Sequence, residues 1–178
     1  MRLIGILIIA AALSYIAIST AQDSVTKTVI LVRHAEKMIG QKDPSLTEMG
    51  QVRAKQLATT LVQTQLTLAI STQFARTKET LIPITDAQKI PLLVIPATTD
   101  INQHIEQIVA KVKQQDGNIV IAGHSNTIPL IIASLGGPKI PMLSEDEYDK
   151  LFILSIPQNG AISLIQTQYG ASSSKKSE

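Results

Sequence analysis

The alternation of strand-like and helix-like segments is the feature that most constrains the fold of this 178-residue chain. Short apolar runs rich in β-branched residues predict buried strands. The longer segments between them carry apolar residues at every third or fourth position, which predicts amphipathic helices packed on a sheet. The predicted strands are Val29–Val32, Leu68–Ile70, Leu92–Ile95 and Asn118–Ala122, and the predicted helices are Thr47–Gln63, Phe74–Asp86, Ile101–Val112 and Ile128–Leu135. This order indicates a three-layer α/β/α domain around a mostly parallel sheet.

Several local signals refine these boundaries. Thr47 is a suitable N-cap for the first helix, and Pro83 predicts a kink or a stop in the second. Leu151–Ile156 and Ala161–Ile165 predict a closing hairpin around the turn Pro157-Gln158-Asn159-Gly160. The polar side chains expected on solvated helix faces are those of Arg53, Lys55, Lys78 and His104.

The N-terminal segment has the organisation of a secretory signal peptide. Arg2 precedes an uncharged apolar run from Leu3 to Ile18, and Ser19-Thr20-Ala21 provides small residues for cleavage after Ala21. An uncleaved membrane anchor is the alternative, because the run is only slightly shorter than the ~20 apolar residues that a spanning helix needs. Both interpretations predict a periplasmic or secreted domain, with membrane contact only if the segment is retained. The predicted division is residues 1–21 as the signal segment, 22–170 as the folded domain and 171–178 as a disordered tail.

Composition excludes several functional classes. The 16 basic and 14 acidic residues are too nearly balanced for a protein that holds nucleic acid by phosphate contacts, so no nucleic-acid partner is expected. Aromatic residues make up 3% of the chain and include no Trp, which disfavours stacking platforms. The chain has no cysteine, which excludes disulfides, a thiolate nucleophile and a cysteine zinc site.

Polar clusters directly follow three of the predicted strands. They are Arg33 to Lys37 after the first strand, Arg76 shortly after the second, and Gly123 to Thr127 after the fourth. Ligands of parallel sheets bind beyond the carboxyl ends of the strands, and these ends lie at one edge of the sheet. The groups expected to converge there are His34, His124, Arg33 and Arg76.

This set of side chains suits phosphoryl chemistry. Guanidinium groups are permanently charged forks that match phosphate oxygens, and a neutral imidazole is a competent nucleophile. Nearby arginines should lower the pKa of His34 and keep its lone pair free. We expect His34 to attack phosphorus and form a phospho-histidine, while Arg33, Arg76 and His124, protonated as a donor, stabilise the charge on the phosphoryl oxygens. No metal or other cofactor is required.

At these residues the sequence resembles the histidine phosphatase superfamily, which includes cofactor-dependent phosphoglycerate mutases, phytases and small phosphohistidine phosphatases. The resemblance keeps the chain order from about Val29 to Gly137. It is carried by Leu31–Lys37, Asp43–Gly50, Ser71–Thr80 and Gly123–Thr127. It implies the fold of that superfamily and a phosphatase acting on a phosphorylated small molecule or a phosphoprotein. It also implies that His34 is phosphorylated and that Arg33, Arg76 and His124 form the phosphate pocket, with Ser125 and Asn126 as further substrate contacts.

The superfamily also places an acidic residue to protonate the leaving oxygen. Such an acid must stay protonated near the pocket, which requires burial to raise its pKa. Asp100 is the first candidate because it opens the third helix, and Glu36 is the second because it lies two residues from His34. The interval from Arg76 to His124 has no room for a lid, which predicts an open site. An open site favours a broad phosphatase over a mutase, which must keep its intermediate from water.

Four alternatives remain open at this stage. The domain could bind a phosphorylated ligand without turnover, or transfer the phosphoryl group as a mutase does. A serine esterase using Ser125 would fit Gly123-x-Ser125 after a strand, although that motif needs a small residue at Thr127 and a later histidine. A zinc site formed by His34, His124 and Glu36 lacks the usual ligand spacing and leaves both arginines unexplained.

Overall fold

The structure is a computed structural model that describes residues 26–173. The predicted signal segment, residues 1–21, lies outside the described residues, as do residues 174–178 of the predicted tail. Ser173, which the sequence assigned to that tail, accepts hydrogen bonds from the backbone N–H groups of Tyr148 and Asp149. Between residues 26 and 173, none of the helices has the length and apolar character needed to cross a membrane.

The described residues form ten elements around one six-stranded sheet. In chain order they are β1 Thr26–Arg33, α1 Glu48–Thr60, β2 Leu66–Ser71, α2 Ala75–Gln88, β3 Leu92–Val94, α3 Ile101–Gln114, β4 Asn118–Gly123, α4 Thr127–Ser134, β5 Lys150–Pro157 and β6 Ser163–Gln168. The strand order is β3-β2-β4-β1-β5-β6. Strands β1 to β4 are mutually parallel, and the β5–β6 hairpin adds two antiparallel strands beside β1. The predicted α/β fold with a mostly parallel sheet and a closing hairpin is therefore confirmed.

Helices cover both faces of the sheet at β1, which explains why the run Val29–Val32 in this strand is apolar at every position. Val29 and Leu31 pack into the core beneath α3 and α4, whereas Ile30 and Val32 pack beneath α1 and α2. Side chains alternate between the faces of a strand, so a strand covered on both sides needs a continuous apolar run rather than an alternating one.

Two predictions about helix ends have different outcomes. The Thr47 hydroxyl caps α1 by accepting a hydrogen bond from the Gly50 backbone N–H, as predicted. The predicted stop at Pro83 is wrong, because α2 continues through Pro83 to Gln88. Leu81 and Ile84, on either side of the proline, are fully buried. Their packing stabilises the helix despite the hydrogen bond that proline cannot make.

Two side chains predicted to be solvated are buried instead. His104 is 1% exposed because it falls on the inward stripe of α3, three residues after Ile101. Arg53 is 2% exposed, and its guanidinium donates to the Glu36 carboxylate and to the Tyr169 carbonyl oxygen. His104 Nδ1 lies 3.0 Å from the Pro96 carbonyl oxygen. Both buried side chains therefore have a hydrogen-bond partner inside the protein, which a buried polar group needs and a solvated one does not.

Candidate active site

The carboxyl ends of β1 and β4 lie side by side and bring the two distant histidines together. Arg33 is paired with Gly123 in the sheet, and the His34 backbone N–H donates to the Gly123 carbonyl oxygen at 2.9 Å. The imidazole rings of His34 and His124 meet edge to face with centroids 5.5 Å apart. The parallel pairing of the two strands therefore creates the centre that the sequence predicted.

The hydrogen bonding of His34 determines which of its ring nitrogens can react. Nδ1 lies 2.8 Å from the carbonyl oxygen of Ala35. A carbonyl oxygen can only accept, so Nδ1 carries the hydrogen and Nε2 keeps its lone pair. Burial, followed by the positive charge of Arg33, His124 and Arg76, lowers the pKa of His34 to about 3. The ring is consequently a free base at neutral pH.

Arg76, at the start of α2, brings a second guanidinium to this edge of the sheet. Its guanidinium carbon lies 4.3 Å from the centre of the Phe74 ring, and that ring contacts the His124 ring at a centroid distance of 5.6 Å. The Arg76 Nε is buried and has no hydrogen-bond partner among residues 26–173. Its ion pair with Asp43 is long, at 3.9 Å. Arg76 therefore retains donors for an anion.

Arg33 is 1% exposed and is held by the loop that precedes β5. Its guanidinium carbon lies 4.4 Å from the centre of the Tyr148 ring, and Nη1 donates to the Ser144 carbonyl oxygen at 2.7 Å. Nη2 donates to the Glu145 carboxylate at 2.8 Å. Arg33, one of the two arginines predicted to bind phosphate, is thus already paired with a carboxylate of the protein.

Glu145 is a charged residue at this centre that sequence reasoning missed. Its carboxylate also accepts a hydrogen bond of 2.7 Å from the Ser125 hydroxyl, although the side chain is 81% exposed. The Ser125 hydrogen bond first, and then the charges of Arg33 and Lys37, lower the pKa of Glu145. The acidic run Glu145-Asp146-Glu147 was the available signal, but nothing in the sequence aligns a loop after α4 with the ends of β1 and β4.

A cavity of about 370 Å³ opens beside Arg76 and His124. Its lining residues are Phe74, Arg76, Ala97, Thr98, Thr99, Ile101, His104, His124, Asn126 and Thr127. Asn126, predicted as a substrate contact, lies on this wall, and the wall contains no Asp or Glu from the described part of the chain. Burial first, and then the charges of Arg76, His104 and Arg33, lower the pKa of His124 to about 4. The resting ring is therefore neutral at pH 7, whereas the sequence predicted a protonated donor.

Both carboxylates predicted as candidate acids have structural partners. Asp100 is exposed and caps α3 by accepting hydrogen bonds from the backbone N–H groups of Asn102 and Gln103. Glu36 accepts from Nε and Nη2 of Arg53 at 2.8–3.0 Å. The structure brings His34, His124, Arg33, Arg76 and Ser125 together, whereas it engages Asp100 and Glu36 in a helix cap and an ion pair.

The segment from Asp43 to Gly50 supports the loop that carries His34. The Thr47 backbone N–H donates to the Glu36 carbonyl oxygen at 2.9 Å, so α1 begins directly against this loop. A Cβ at Gly50 would collide with the same carbonyl oxygen. Only glycine allows this close approach of two backbones, which gives a physical reason for Gly50 at the end of the Asp43–Gly50 segment.

The geometry also bears on two of the alternative sites. Among residues 26–173, no three His, Asp or Glu side chains are grouped as metal ligands, so the His34, His124 and Glu36 set is not assembled. The Ser125 hydroxyl donates to Glu145, whereas a serine nucleophile needs a base positioned by an orienting group.

Comparison with known proteins gives a family and a fold. The model of the histidine phosphatase superfamily (branch 1) matches residues 29–104. The protein histidine phosphatase SixA complexed with tungstate superposes with a TM-score of 0.65 at 17% identity, covering 79% of this chain and 96% of SixA. Mycobacterial hydrolase 2 superposes with a TM-score of 0.64 at 17% identity, covering 85% of this chain and 94% of the hydrolase. Mycobacterial glucosyl-3-phosphoglycerate phosphatase Rv2419c with inorganic phosphate superposes with a TM-score of 0.59 at 17% identity, covering 82% of this chain and 98% of Rv2419c. No curated protein matches the chain in sequence.

The sequence match over residues 29–104 and the shared fold confirm the predicted resemblance to the histidine phosphatase superfamily. The segment with the second histidine lies beyond the matched residues, and the parallel pairing of β4 with β1 brings it to the first. Phosphatases recur among the neighbours of this fold.

Proposed function

We propose that this protein is a metal-independent phosphatase that hydrolyses phosphomonoesters or phosphoramidates through a phospho-histidine on His34. The observation that carries the proposal is the free lone pair of His34 Nε2, left by the hydrogen bond from Nδ1 to the Ala35 carbonyl oxygen. Burial first, and then the charges of Arg33, His124 and Arg76, lower the pKa of His34 and keep the ring neutral. A neutral imidazole nucleophile close to two guanidinium groups matches the needs of phosphoryl transfer.

The reaction proceeds in two displacements. The Nε2 lone pair forms a bond to phosphorus while the bond from phosphorus to the leaving oxygen or nitrogen breaks, and the leaving group takes that electron pair together with a proton. Water then attacks phosphorus, the bond from phosphorus to Nε2 breaks, and the electron pair returns to the ring as water loses a proton. Inorganic phosphate and the free imidazole are the products. Preorganised guanidinium donors stabilise the charge on the phosphoryl oxygens in both steps.

The cavity next to Arg76 suits a leaving group that departs without help from a carboxylic acid. Its described lining has no Asp or Glu, and both candidate acids already have partners. Phosphoramidates fit this requirement because the nitrogen leaving group depends less on an acid. SixA is described as a protein histidine phosphatase and was solved with tungstate, and Rv2419c was solved with inorganic phosphate. These neighbours support a phosphorylated small molecule or a phosphoprotein as substrate.

The test is hydrolysis of p-nitrophenyl phosphate in the presence of EDTA by the wild-type protein and by His34→Ala. We expect activity that survives EDTA and disappears in His34→Ala, with an acid-labile phosphoenzyme trapped by quenching during turnover. An acid-stable phosphoserine would reject the mechanism. Phosphate binding without turnover would instead support a non-catalytic binding domain, and phosphoryl transfer to a second substrate without release of phosphate would support a mutase.

We also propose that the domain acts outside the cytoplasm. The support is the sequence of residues 1–21, in which a positively charged start and an apolar run precede small residues at the predicted cleavage site. N-terminal sequencing of the exported protein should begin at Gln22. An intact N-terminus in the membrane fraction would favour the anchor, and a protein found only in the cytoplasm would refute both interpretations.

A further inference from the structure

Two buried threonine hydroxyls connect His124 to the start of α2. Thr72 is 2% exposed and Thr77 is fully buried. The Thr72 hydroxyl oxygen lies 3.2 Å from His124 Nε2 and 2.8 Å from the Thr77 hydroxyl oxygen. The Thr77 hydroxyl oxygen also lies 2.9 Å from the Phe74 carbonyl oxygen and 3.2 Å from the Thr72 carbonyl oxygen.

The number of available hydrogens decides the direction of this series of hydrogen bonds. Each threonine hydroxyl has one hydrogen, and a carbonyl oxygen can only accept. If Thr77 donates to Phe74, then Thr72 donates to Thr77, and Nε2 of His124 must donate to Thr72. In the reverse direction, the lone pairs of Thr77 and the Phe74 carbonyl oxygen would face each other at 2.9 Å with no hydrogen between them. The first arrangement places a hydrogen in each of the short contacts.

This direction also determines which nitrogen of His124 can meet a ligand. A ring nitrogen that donates to one partner sets the state of the other nitrogen. With the hydrogen of the neutral ring on Nε2, Nδ1 keeps its lone pair and receives any proton that the ring gains. Burial and the nearby arginines lower the pKa of His124 to about 4, so the resting ring is neutral and the hydrogen occupies one nitrogen at a time.

We propose that Thr72 and Thr77 are positioning residues that fix the resting His124 as the Nε2–H tautomer, so that Nδ1 is the nitrogen that takes up a proton and donates to the phosphoryl group. The part concerning the phosphoryl group rests on the proposed phosphatase function, whereas the tautomer does not. The same two hydroxyls tie the end of β2 to the first turn of α2, where Arg76 lies. One network therefore sets the orientation of both His124 and the arginine beside it.

Nitrogen NMR of the protein labelled with ¹⁵N-histidine tests the tautomer without any need for activity. In the wild type at about pH 7.5, we expect His124 to be protonated on Nε2. Thr77→Val removes the acceptor of the Thr72 hydrogen, which can then be donated to Nε2, so the tautomer should shift toward Nδ1–H. Thr77→Ser restores the hydroxyl and should restore the wild-type spectrum. A wild-type ring protonated on Nδ1 would overturn the proposal.

Kinetics test the positioning role in the same variants. Thr77→Val should lower kcat by about 10–100-fold, the loss expected when a reacting group is misplaced, with a much smaller change in KM. Thr77→Ser should recover most of the activity, and Thr59→Val, which removes an exposed threonine hydroxyl on α1, should match the wild type. Wild-type kcat in a correctly folded Thr77→Val, judged by circular dichroism, would also overturn it. If Thr77→Val does not fold, Thr72→Ser and Thr72→Val provide the same comparison of a kept and a lost hydroxyl.

The two proposals fail in different ways. If His34→Ala retains full activity, the phosphatase mechanism is wrong, but the NMR spectrum of the resting protein still decides the tautomer. If His34→Ala is inactive while the His124 tautomer does not depend on Thr77, the phosphatase proposal stands and the positioning proposal is rejected.

Discussion

The Glu145 carboxylate accepts a hydrogen bond of 2.8 Å from the guanidinium of Arg33. A carboxylate matches the same fork of N–H donors that a phosphate does. Its other oxygen accepts from the Ser125 hydroxyl at 2.7 Å, a second group predicted to contact substrate. A phosphoryl group that binds Arg33 Nη2 and the Ser125 hydroxyl must therefore displace Glu145.

Glu145→Gln should strengthen binding of phosphate and of phosphorylated substrates. The exposed side chain makes a weak ion pair, of the kind worth ~0.2–1 kcal/mol, so KM and the inhibition constant of phosphate should fall by about two- to fivefold. Steady-state kinetics with phosphate as inhibitor measures both constants. The control Asp146→Asn removes the neighbouring negative charge and should change neither. A rise in KM for Glu145→Gln would mean that the carboxylate helps to hold the substrate.

Arg76→Ala should lower kcat by about 10²–10³-fold, the usual loss for one preorganised donor to a developing anion. Its Nε lacks a hydrogen-bond partner among the described residues, so the guanidinium is available to an anion. Arg76→Lys should recover only part of the activity because an ammonium group lacks the planar fork. Lys55→Ala, an exposed cation on α1, is the control. A twofold effect of Arg76→Ala would show that this arginine does not contact the transferring group.

Glu36→Gln should affect stability rather than chemistry. The Arg53 guanidinium, 2% exposed, would lose its carboxylate partner, and breaking such a buried pair costs about 3 kcal/mol or more. Urea unfolding should detect this loss, while Glu106→Gln on the exposed face of α3 should stay within ~0.5 kcal/mol of the wild type. The opposite pattern, unchanged stability with a large loss of kcat, would identify Glu36 as the general acid.

The buried His34 should make stability depend on pH. Its pKa falls from 6.5 to about 3 in the folded protein, so the unfolded chain binds more protons between these values. Its contribution is therefore fully present above about pH 6.5 and is lost as the pH falls toward 3. His34→Gln should show a shallower loss of stability than the wild type in urea unfolding at about pH 7, 5.5 and 4. Parallel curves for the two proteins would show that His34 does not titrate with unfolding.

The sequence by itself determined the layers of the fold and the identity of the central residues. Apolar runs such as Val29–Val32 and the stripe of α3 encode local structure, because burial on one or both faces fixes the period of apolar residues. The rule that parallel strands end at one edge was then enough to bring His34 and His124 together. Their ring contact at 5.5 Å agrees with that rule.

Only the tertiary structure decided which polar groups share partners. Arg53 was predicted to be solvated, yet it is buried and donates to the Tyr169 carbonyl oxygen, far along the chain. His104 falls on the apolar stripe of α3, but its contact with the Pro96 carbonyl oxygen comes from the loop after β3. Glu145 approaches Arg33 across more than a hundred residues. The Thr72 hydroxyl, which is also hydrogen-bonded to the Thr77 hydroxyl, meets His124 from the loop after β2. Such contacts require neighbouring elements to be positioned to within a few tenths of an ångström. Residue periodicity specifies the buried face of each element, but it does not specify the position of one element against the next.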